Sequence, residues 1–266
     1  MKYETLRVEL AHGVARVIMS RPEVHNAFDD RLISELTSEL RRLDHDPEVR
    51  VVVLAASGKS FSAGADLNWM KRMAGYSEAD NFRDASALAG LMRTLRGVRK
   101  PTLARVQGAA YGGGVGLVAC CDIAVAASDA TFSLSEVRLG LIPSVISPYV
   151  IAAIGERAAS RLFLTAERFD ATEAKLCGLV HEVAHADKLD ETLGRLVGYL
   201  LQGGPLAQAA AKKLIADVSR QPIDEALTEE TARRIAAIRV SPEGQEGLSA
   251  FLEKRPPSWE KKNKTH

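Results

Sequence analysis

The sequence predicts an α/β fold in which helices connect neighbouring parallel strands. Val49–Ala55 is a continuous run of β-branched and aliphatic residues, which is typical of a strand buried on both faces. Thr102–Val106 and Asp122–Ala127 are also strand-like, and glycine-rich turns with helical patterns separate these runs. Because strand, turn, helix and strand recur in this order, we expect crossover connections.

The first elements follow from simple periodicities. Residues 5–10 alternate between polar and apolar side chains, which predicts a half-buried strand, and Val14–Met19 predicts a second strand. Asp29 or Asp30 is a candidate cap for a helix that runs to about His45. Aliphatic residues recur at helical spacing within this segment, so one face of the helix is expected to pack on the sheet.

The middle of the chain contains further predicted helices. Ala65–Met73 follows the first glycine turn, and a capping box at Ser77 opens a helix that ends near Arg96. The second glycine turn leads into a helix through Val118. Asp170–Gly178 is expected to be a helix, and Leu179–Val183 a short strand.

The last quarter of the chain is almost wholly helical in pattern. Gly203–Pro205 interrupts it, and amphipathic helices are predicted at Pro205–Ser219 and Ile223–Arg239. We expect this region to pack on the core or on a neighbouring subunit. The predicted division is residues 1–200 for an α/β core and residues 201–266 for a helical region.

Composition excludes several classes of partner. The 266 residues are 46% hydrophobic and 26% charged, as expected for a globular protein with a sizeable core. The formal net charge is +1, so no general attraction to nucleic acid or to a membrane surface is expected. No apolar stretch reaches the roughly 20 residues that span a bilayer.

The cysteines and the N-terminus predict a cytoplasmic location. Cys120 and Cys121 are adjacent in an apolar run, and Cys177 stands alone, so all three are expected to be reduced thiols. Residues 1–5 have neither the pattern of a signal peptide nor that of a transit peptide.

Two glycine-rich turns carry the main functional signal. Phe61–Leu67 and Gly108–Gly116 each follow a strand-like run, and each presents backbone N–H groups where a helix begins. If the two turns face one another, their N–H groups form an oxyanion hole. This pattern indicates an enzyme that acts on a carbonyl group whose oxygen becomes negatively charged.

Glu136 is the candidate general acid or base. It is a single carboxylate within the apolar segment Phe132–Pro143, and a charged group in such surroundings needs a physical reason. An ion pair with Arg138 is the structural alternative, which requires an extended segment because only then do the two side chains share a face. An apolar pocket is expected to raise the pKa of Glu136.

Other motifs lead to no site. His181–His185 matches H-E-x-x-H, but it continues a predicted strand, where positions four apart are about 13 Å apart and cannot share a zinc ion. Gly58–Ser60 lacks the earlier glycine of a phosphate-binding loop, because Val53 occupies that position. Gly112–Gly116 fails the dinucleotide-binding spacing at Leu117. No metal site is therefore expected.

Together, these segments resemble the enoyl-CoA hydratase/isomerase (crotonase) family over nearly the whole chain. The segments that carry the resemblance are Arg21–Ala27, Ser62–Leu67, Gly108–Gly114, Cys121–Ala124, Glu136–Pro143 and Phe251–Arg255. Within the family, Asn68–Met70 and Leu117–Asp122 look most like bacterial methylglutaconyl-CoA hydratases.

The resemblance implies a fold and an assembly. The fold would be a crotonase-like (ClpP/crotonase) spiral of repeated ββα units with a C-terminal α-helical region. The assembly would be a homotrimer or a dimer of trimers with the helical region at the interface. The partner would be an acyl-CoA substrate, and coenzyme A would be part of that substrate, with no separate cofactor.

The resemblance also implies roles for particular residues. The thioester oxygen would lie between the N–H groups of Ala65 and Gly113, and Glu136 would be the general acid or base. Lys254 would reach the phosphates of coenzyme A, including from another subunit. The residues implied in substrate and coenzyme A binding are Val24, Ala27, Ala63, Ala65, Asp66, Leu67, Asn68, Gly113 and Lys254.

Two departures from the family pattern bear on the reaction. Family hydratases usually hold water with two glutamates, and Gly116 stands where the first is expected. Ser144–Ser147 replaces a glycine-rich stretch after Pro143. Ser144, Ser147 or a carboxylate on the substrate could assist the water. The cations that could recognise such a carboxylate are Lys71, Arg72, Arg83 and Arg93, although each also fits a solvated helix face.

Three functions remain open on these grounds. The first is hydration of a 2-enoyl-CoA, with 3-methylglutaconyl-CoA or a related branched ester as substrate. The second is isomerisation of a 3-enoyl-CoA to a 2-enoyl-CoA, which needs only Glu136. The third is a non-catalytic acyl-CoA-binding subunit that has lost one carboxylate.

Overall fold

The computed structural model describes residues 3–260. The strands in these residues are β1 Leu6–Ala11, β2 Val14–Met19, β3 Val51–Ala56, β4 Thr102–Val106, β5 Ala109–Tyr111, β6 Ile123–Ala127, β7 Thr131–Ser133, β8 Arg168–Asp170 and β9 Glu182–Ala184. The helices in the same part of the chain are α1 Asp30–His45, α2 Leu67–Met73, α3 Glu78–Gly97, α4 Gly113–Cys120, α5 Ser147–Thr165, α6 Ala171–Leu176, α7 Leu189–Gln202, α8 Pro205–Val218, α9 Glu225–Arg239 and α10 Pro242–Leu252. Among the residues that the structure describes, no helix has the length and apolarity to cross a membrane.

A six-stranded sheet forms the centre of the molecule, in the order β1-β2-β3-β4-β6-β9. β1 pairs antiparallel with β2, and the other neighbouring strands run parallel. Every residue of β3 is buried, as its continuous apolar sequence predicts. Val52 and Leu54 face the larger core, while Val51 and Val53 face a second core that includes Leu193 of α7. The central strand is therefore covered on both sides.

A smaller sheet beside the first gives the fold its repeating unit. It has the order β5-β7-β8, and β5 runs parallel to β7. After β4 in the large sheet the chain enters β5 in the small sheet and then α4, and β6, β7 and α5 repeat this sequence. The expected ββα units are therefore present.

Isolated β-bridges place the two glycine turns side by side. Ser62 pairs in parallel with Ala110, and Phe28 pairs in parallel with Ala65. The first bridge continues the small sheet from β5 to the first glycine turn. The pairing therefore brings together segments about 50 residues apart in sequence, and this is how the fold builds the site.

Local capping signals correctly predicted several helix starts. The Asp29 side chain accepts a hydrogen bond from the Leu32 N–H at the start of α1. A complete capping box between Ser77 and Asp80 opens α3. These interactions involve neighbouring residues only, so their sequence signal is strong.

The strand β9 and the helix α5 differ from the predictions. The strand expected at Leu179–Val183 is β9, which begins only at Glu182, because the N–H groups of Leu179 and Val180 bond to Ala174 O instead of a neighbouring strand. The long helix α5 has no clear sequence pattern. Gly155 lies inside it with a φ of 74°, which interrupts the helical backbone.

The C-terminal helical region contacts the core through a few polar residues. Lys212 of α8 forms an ion pair of 2.7 Å with Asp122, which also accepts a hydrogen bond from the Thr102 N–H. Arg50 donates hydrogen bonds to the carbonyl groups of Gly203 and Trp259. Neither α8 nor α9 buries a residue fully. The division near residue 200 stays a prediction.

Candidate active site

The first glycine turn presents the N–H of Ala65 away from its neighbouring strand. Phe28 N–H donates to Gly64 O at 2.7 Å, and Asp66 N–H donates to Phe28 O at 2.9 Å. In a parallel bridge these two bonds flank Ala65, so the Ala65 N–H points to the other side. Within residues 3–260, no hydrogen-bond acceptor is present for it. The turn depends on Gly64, whose φ is 92°.

The second glycine turn presents the first N–H of α4. Gly112 adopts a φ of 49° and donates its N–H to Ser133 O at 2.9 Å. α4 begins at Gly113, and the first amides of a helix have no acceptor within it. The turns touch, because a Cβ on Gly64 would lie 3.3 Å from Tyr111 O. Two N–H donors thus belong to adjoining turns.

The carboxyl group of Glu136 lies against the second turn. A Cβ on Gly112 would be 3.1 Å from Glu136 Oε1 and 4.0 Å from Gly64 Cα, so the carboxyl group adjoins the second turn at the position where that turn meets the first. Glu136 Oε2 is buried and has no hydrogen-bond partner in the described residues. An unpartnered buried oxygen of this kind is costly, and a ligand that donates a proton or hydrogen bond would relieve the cost.

The described residues contain no ion pair between Glu136 and Arg138, which was the structural alternative to a catalytic role for Glu136. Glu136 and Arg138 belong to a 3-10 helix, Glu136–Leu139, in which positions two apart do not share a face. Burial raises the pKa of Glu136 above its ordinary value of 4.5, as the apolar sequence predicts. Glu136 therefore has the environment of a proton carrier.

Arg21 joins three segments around the first turn, and sequence reasoning did not identify it as a site residue. Its guanidinium donates hydrogen bonds to Ala27 O at 2.6 Å and to the Asp66 carboxylate at 3.1 Å, and it forms an ion pair of 3.0 Å with Asp29. Asp66 also accepts from the N–H groups at the start of α2. Burial would raise the pKa of Asp66, but these hydrogen bonds and the nearby Arg21 lower it below its ordinary value. Asp66 is thus held as a carboxylate.

Asn26 fixes the entry segment and was also missed by sequence reasoning. It is fully buried, and its amide nitrogen donates to Ser57 O at 2.8 Å and to Ser60 O at 2.9 Å. Its side-chain oxygen accepts from Arg21 N–H at 2.8 Å. The two acceptors of its amide nitrogen lie over 30 residues away in sequence, so local patterns could not identify it. The φ of 53° is one that asparagine tolerates.

The residues implied in substrate binding surround the first turn, with one exception. Ala63 N–H donates to His25 O at 3.0 Å, which places Ala63 beside the segment that contains Val24 and Ala27. Leu67 is 74% exposed, and Asn68 is also exposed, so this edge of the turn is open to a ligand. Lys254 lies after α10, and no hydrogen bond joins it to either turn in the described part of the chain.

Position 116, where the resemblance implies one of the two glutamates, has no room for a side chain. A Cβ on Gly116 would lie 2.3 Å from Ile146 Cγ2 and 3.2 Å from Met92 Cε. Both neighbours are buried. Ser147 Oγ donates to Ser144 O at 2.8 Å, so one candidate water-binding hydroxyl already has a partner.

Two of the four candidate cations are already paired. Arg72 forms an ion pair with Asp30, and Arg83 forms one with Asp80. No ion pair is recorded for Lys71 or Arg93 in residues 3–260, and both side chains are exposed. In the described part of the chain, Lys71 and Arg93 are therefore the two members of the set without an ion pair.

The H-E-x-x-H motif lies on β9 and its flanks, as the strand pattern predicts. His181 N–H donates to Ala124 O, and His181 Nδ1 accepts from Ala124 N–H at 3.1 Å. His185 pairs instead with Asp187. Cys120 and Cys121 are buried, and burial raises the pKa of Cys121 to about 12. No group of three potential metal ligands occurs in the part of the chain described.

The geometry defines a class of enzyme. Two backbone N–H groups on adjoining turns can stabilise a carbonyl oxygen as it becomes negative, and a buried carboxyl group beside them can move a proton on the adjacent carbon. The dipole of α4 adds a favourable field at the same point. This is the arrangement of an enzyme that forms an oxyanion from a carbonyl substrate.

Comparison with known proteins identifies the family. The model of the enoyl-CoA hydratase/isomerase family matches residues 9–262, and the chain belongs to this family. A Legionella pneumophila structure assigned to the enoyl-CoA hydratase/isomerases (crotonases) is 49% identical, with a TM-score of 0.92 and coverage of 96% and 98% of the two chains. An enoyl-CoA hydratase from Shewanella pealeana is 46% identical, with a TM-score of 0.95 and coverage of 97% of each chain.

A crotonyl-CoA hydratase from Syntrophomonas wolfei is 32% identical over 258 residues, which cover 96% of this chain and 97% of the relative. The similarity to these relatives is thus full-length. It confirms the expected crotonase-like fold.

Removing the Arg21 guanidinium is expected to misplace the Ala65 N–H. The variant Arg21→Met should lower kcat for a 2-enoyl-CoA by about 10- to 100-fold, because small displacements of a catalytic group have effects of this size. Dissociation constants for CoA esters should change much less. Steady-state kinetics measure the first effect and calorimetry the second.

Arg31→Met is the matched control for this prediction, since Arg31 is exposed and pairs with Glu4 at a distance from the turns. Its kcat should equal that of the unmodified protein. A folded Arg21→Met variant with unchanged kcat would contradict the role assigned to Arg21.

Proposed function

We propose that this protein is an enoyl-CoA hydratase that adds water across the double bond of a 2-enoyl-CoA. The observation that carries the proposal is the pair of N–H groups at Ala65 and Gly113, which have no hydrogen-bond acceptor in residues 3–260, on adjoining turns beside Glu136 and its buried Oε2. A conjugated thioester needs both functions, because its oxygen becomes negative when a nucleophile attacks the β-carbon. Family membership supports the same reaction class.

The proposed mechanism uses the protein groups in sequence. The water oxygen forms a bond to C3 while Glu136 accepts a proton from that water, and the π electrons move through C2 to the thioester oxygen. The N–H groups of Ala65 and Gly113 stabilise this enolate, by about 3–4 kcal/mol each on the scale of other oxyanion-hole donors. Glu136 then returns the proton to C2, which regenerates the carboxylate.

The proposed binding mode places coenzyme A along the open edge of the first turn. Val24, Ala27 and Ala63 line the entry side, and Asp66, Leu67 and Asn68 continue it to the start of α2. The exposure of Leu67 and Asn68 supports this placement. Lys254 would reach the phosphates of coenzyme A bound to a neighbouring subunit.

The proposed substrate is 3-methylglutaconyl-CoA or a related branched 2-enoyl-CoA. The segments at Asn68–Met70 and Leu117–Asp122 support this choice through their resemblance to methylglutaconyl-CoA hydratases. Lys71 supports it physically, because it is an exposed cation on α2, next to the first turn, with no recorded ion pair in residues 3–260. A distal carboxylate would be a suitable partner for such a cation.

Isomerisation of a 3-enoyl-CoA is the second candidate, and Gly116 favours it. Moving a double bond requires one group that removes a proton from C2 and returns it to C4. Glu136 alone can do this. Only hydration transfers oxygen from the solvent, so the two reactions are distinguishable.

The proposed assembly is a homotrimer or a dimer of trimers. The C-terminal helices expose an unusual number of large apolar side chains, which a neighbouring subunit would cover. These residues are Leu206, Ile215, Ile223, Ile235, Val240, Leu248, Phe251 and Leu252. Six of them lie on α8, α9 and α10, and Ile223 and Val240 flank α9; because these helices bury almost nothing within one chain, this supports an interface there.

Replacing Glu136 by Gln should abolish turnover while CoA-ester binding persists. The expected loss is about 10²- to 10⁴-fold in kcat, as for other general acid–base groups. The assay follows the enoyl-thioester absorbance with 3-methylglutaconyl-CoA and crotonyl-CoA in ¹⁸O-labelled water. Hydration predicts ¹⁸O in the product.

Glu9→Gln is the control, because Glu9 is exposed on β1. A product without ¹⁸O would favour isomerisation. Intact CoA-ester binding with no turnover of any enoyl-CoA would refute the proposed function.

The rate should depend on pH through Glu136. The active form is the carboxylate, and burial raises its pKa above the ordinary value of 4.5. As pH falls through this raised pKa, the carboxylate is protonated and kcat/KM should fall about tenfold per unit. The plateau should therefore end at a higher pH than for an exposed glutamate. A profile that stays flat down to pH 4.5 would contradict the assignment.

Sedimentation should show a particle of three or six times the 28.7 kDa chain mass. Placing charge on the exposed apolar surface with Phe251→Asp should shift the distribution toward monomer, because desolvating a carboxylate opposes association. Leu10→Asp, at an exposed site on β1, should leave the assembly intact. A monomeric unmodified protein at micromolar concentration would contradict the proposed assembly.

A further inference from the structure

Ile146 fills the space that a side chain at position 116 would need. The 2.3 Å separation between a Gly116 Cβ and Ile146 Cγ2 is far below ordinary van der Waals contact, and Ile146 Cβ would also be only 2.9 Å away. Ile146 is 3% exposed, so it cannot move toward solvent without leaving the core. Met92, which is fully buried, closes the same space from α3. Position 116 accepts only glycine in this packing.

Helix geometry directs a side chain at position 116 toward the end of α4 where Glu136 lies. Gly116 N–H donates to Gly112 O at 3.2 Å, so these residues are one helical turn apart on the same face of α4. The side chains of a helix tilt toward its N-terminus. A long side chain at 116 would therefore extend toward Gly112, where the Glu136 carboxyl group lies, and Ile146 blocks that direction.

We propose that Ile146 keeps a carboxylate out of position 116 and so leaves Glu136, among residues 3–260, as the one carboxylate that carries the proton. The inference rests on the proposed hydration and deepens it. The water O–H bond that breaks and the C2–H bond that forms then share the same carboxyl group, with no second protein carboxylate to hold the water. Ile146 acts as a positioning residue, since it controls which groups reach the substrate.

The first test asks whether Ile146 limits the space available to a side chain at position 116. Gly116→Ala should lower Tm by about 5 °C or more in the unmodified protein, because overpacking a buried site is destabilising. In an Ile146→Ala background the same change should lower Tm by much less. Equal losses in the two backgrounds would overturn the proposal, because they would show that Ile146 does not limit position 116.

The second test asks whether a carboxylate at position 116 speeds hydration once Ile146 no longer fills the space. The double variant Ile146→Ala/Gly116→Glu is compared with Ile146→Ala/Gly116→Gln, which has nearly the same shape but no carboxylate. The glutamate variant should hydrate crotonyl-CoA at least about tenfold faster, a modest part of the effect of a general acid or base. A purely structural role for Ile146 predicts equal rates, because both variants fill the space equally.

Equal rates in two folded variants that bind CoA esters would overturn the proposal. If the double variants fail to fold, the Tm comparison with Gly116→Ala decides it. Turnover by the unmodified protein in the same assay tests the proposed function separately. An inactive unmodified protein beside an active glutamate variant would reject hydration as its function and still support the role of Ile146.

Discussion

The pairing of Phe28 with the first glycine turn is the interaction on which the site depends. Two backbone hydrogen bonds on either side of Ala65 fix the direction of its N–H, and this direction cannot change without breaking the bridge. Backbone donors held this way need no reorganisation when charge develops on a substrate oxygen. Arg21 and Asn26 support the same pairing from the entry segment, so most buried polar contacts near the turn serve one N–H group.

The N–H groups of Ala65 and Gly113 lie in largely apolar surroundings. These surroundings affect both the two donors and Glu136. Burial raises the pKa of Glu136, and its Oε2 has no hydrogen-bond partner within residues 3–260. The same surroundings strengthen the effect of the two N–H groups, because less water competes for the developing charge. The cost of burying Glu136 is offset by the packing of the parallel sheet, whose central strand β3 is wholly buried.

Local signals allowed much of the fold and part of the site to be predicted from sequence. The buried β3, the capping box at Ser77 and the glycine turns each depend on residues close together in the chain, and each is confirmed as a structural feature. Arg21 could not be assigned in this way, because its partner Asp66 lies 45 residues away. α5 was missed for another reason, since Gly155 interrupts its helical pattern.

The reason for a glycine at position 116 cannot be inferred from the sequence alone, because it depends on the neighbours of Gly116 in the fold. In sequence it looks like a simple loss, a glycine where a carboxylate is expected. In three dimensions it is one member of a packed set with Ile146 and Met92, and the glycine is required by that packing. A later return of glutamate at 116 alone would clash with the core. On the proposal made above, the number of carboxylates at this site depends jointly on Gly116 of α4 and on Ile146, the residue that precedes α5.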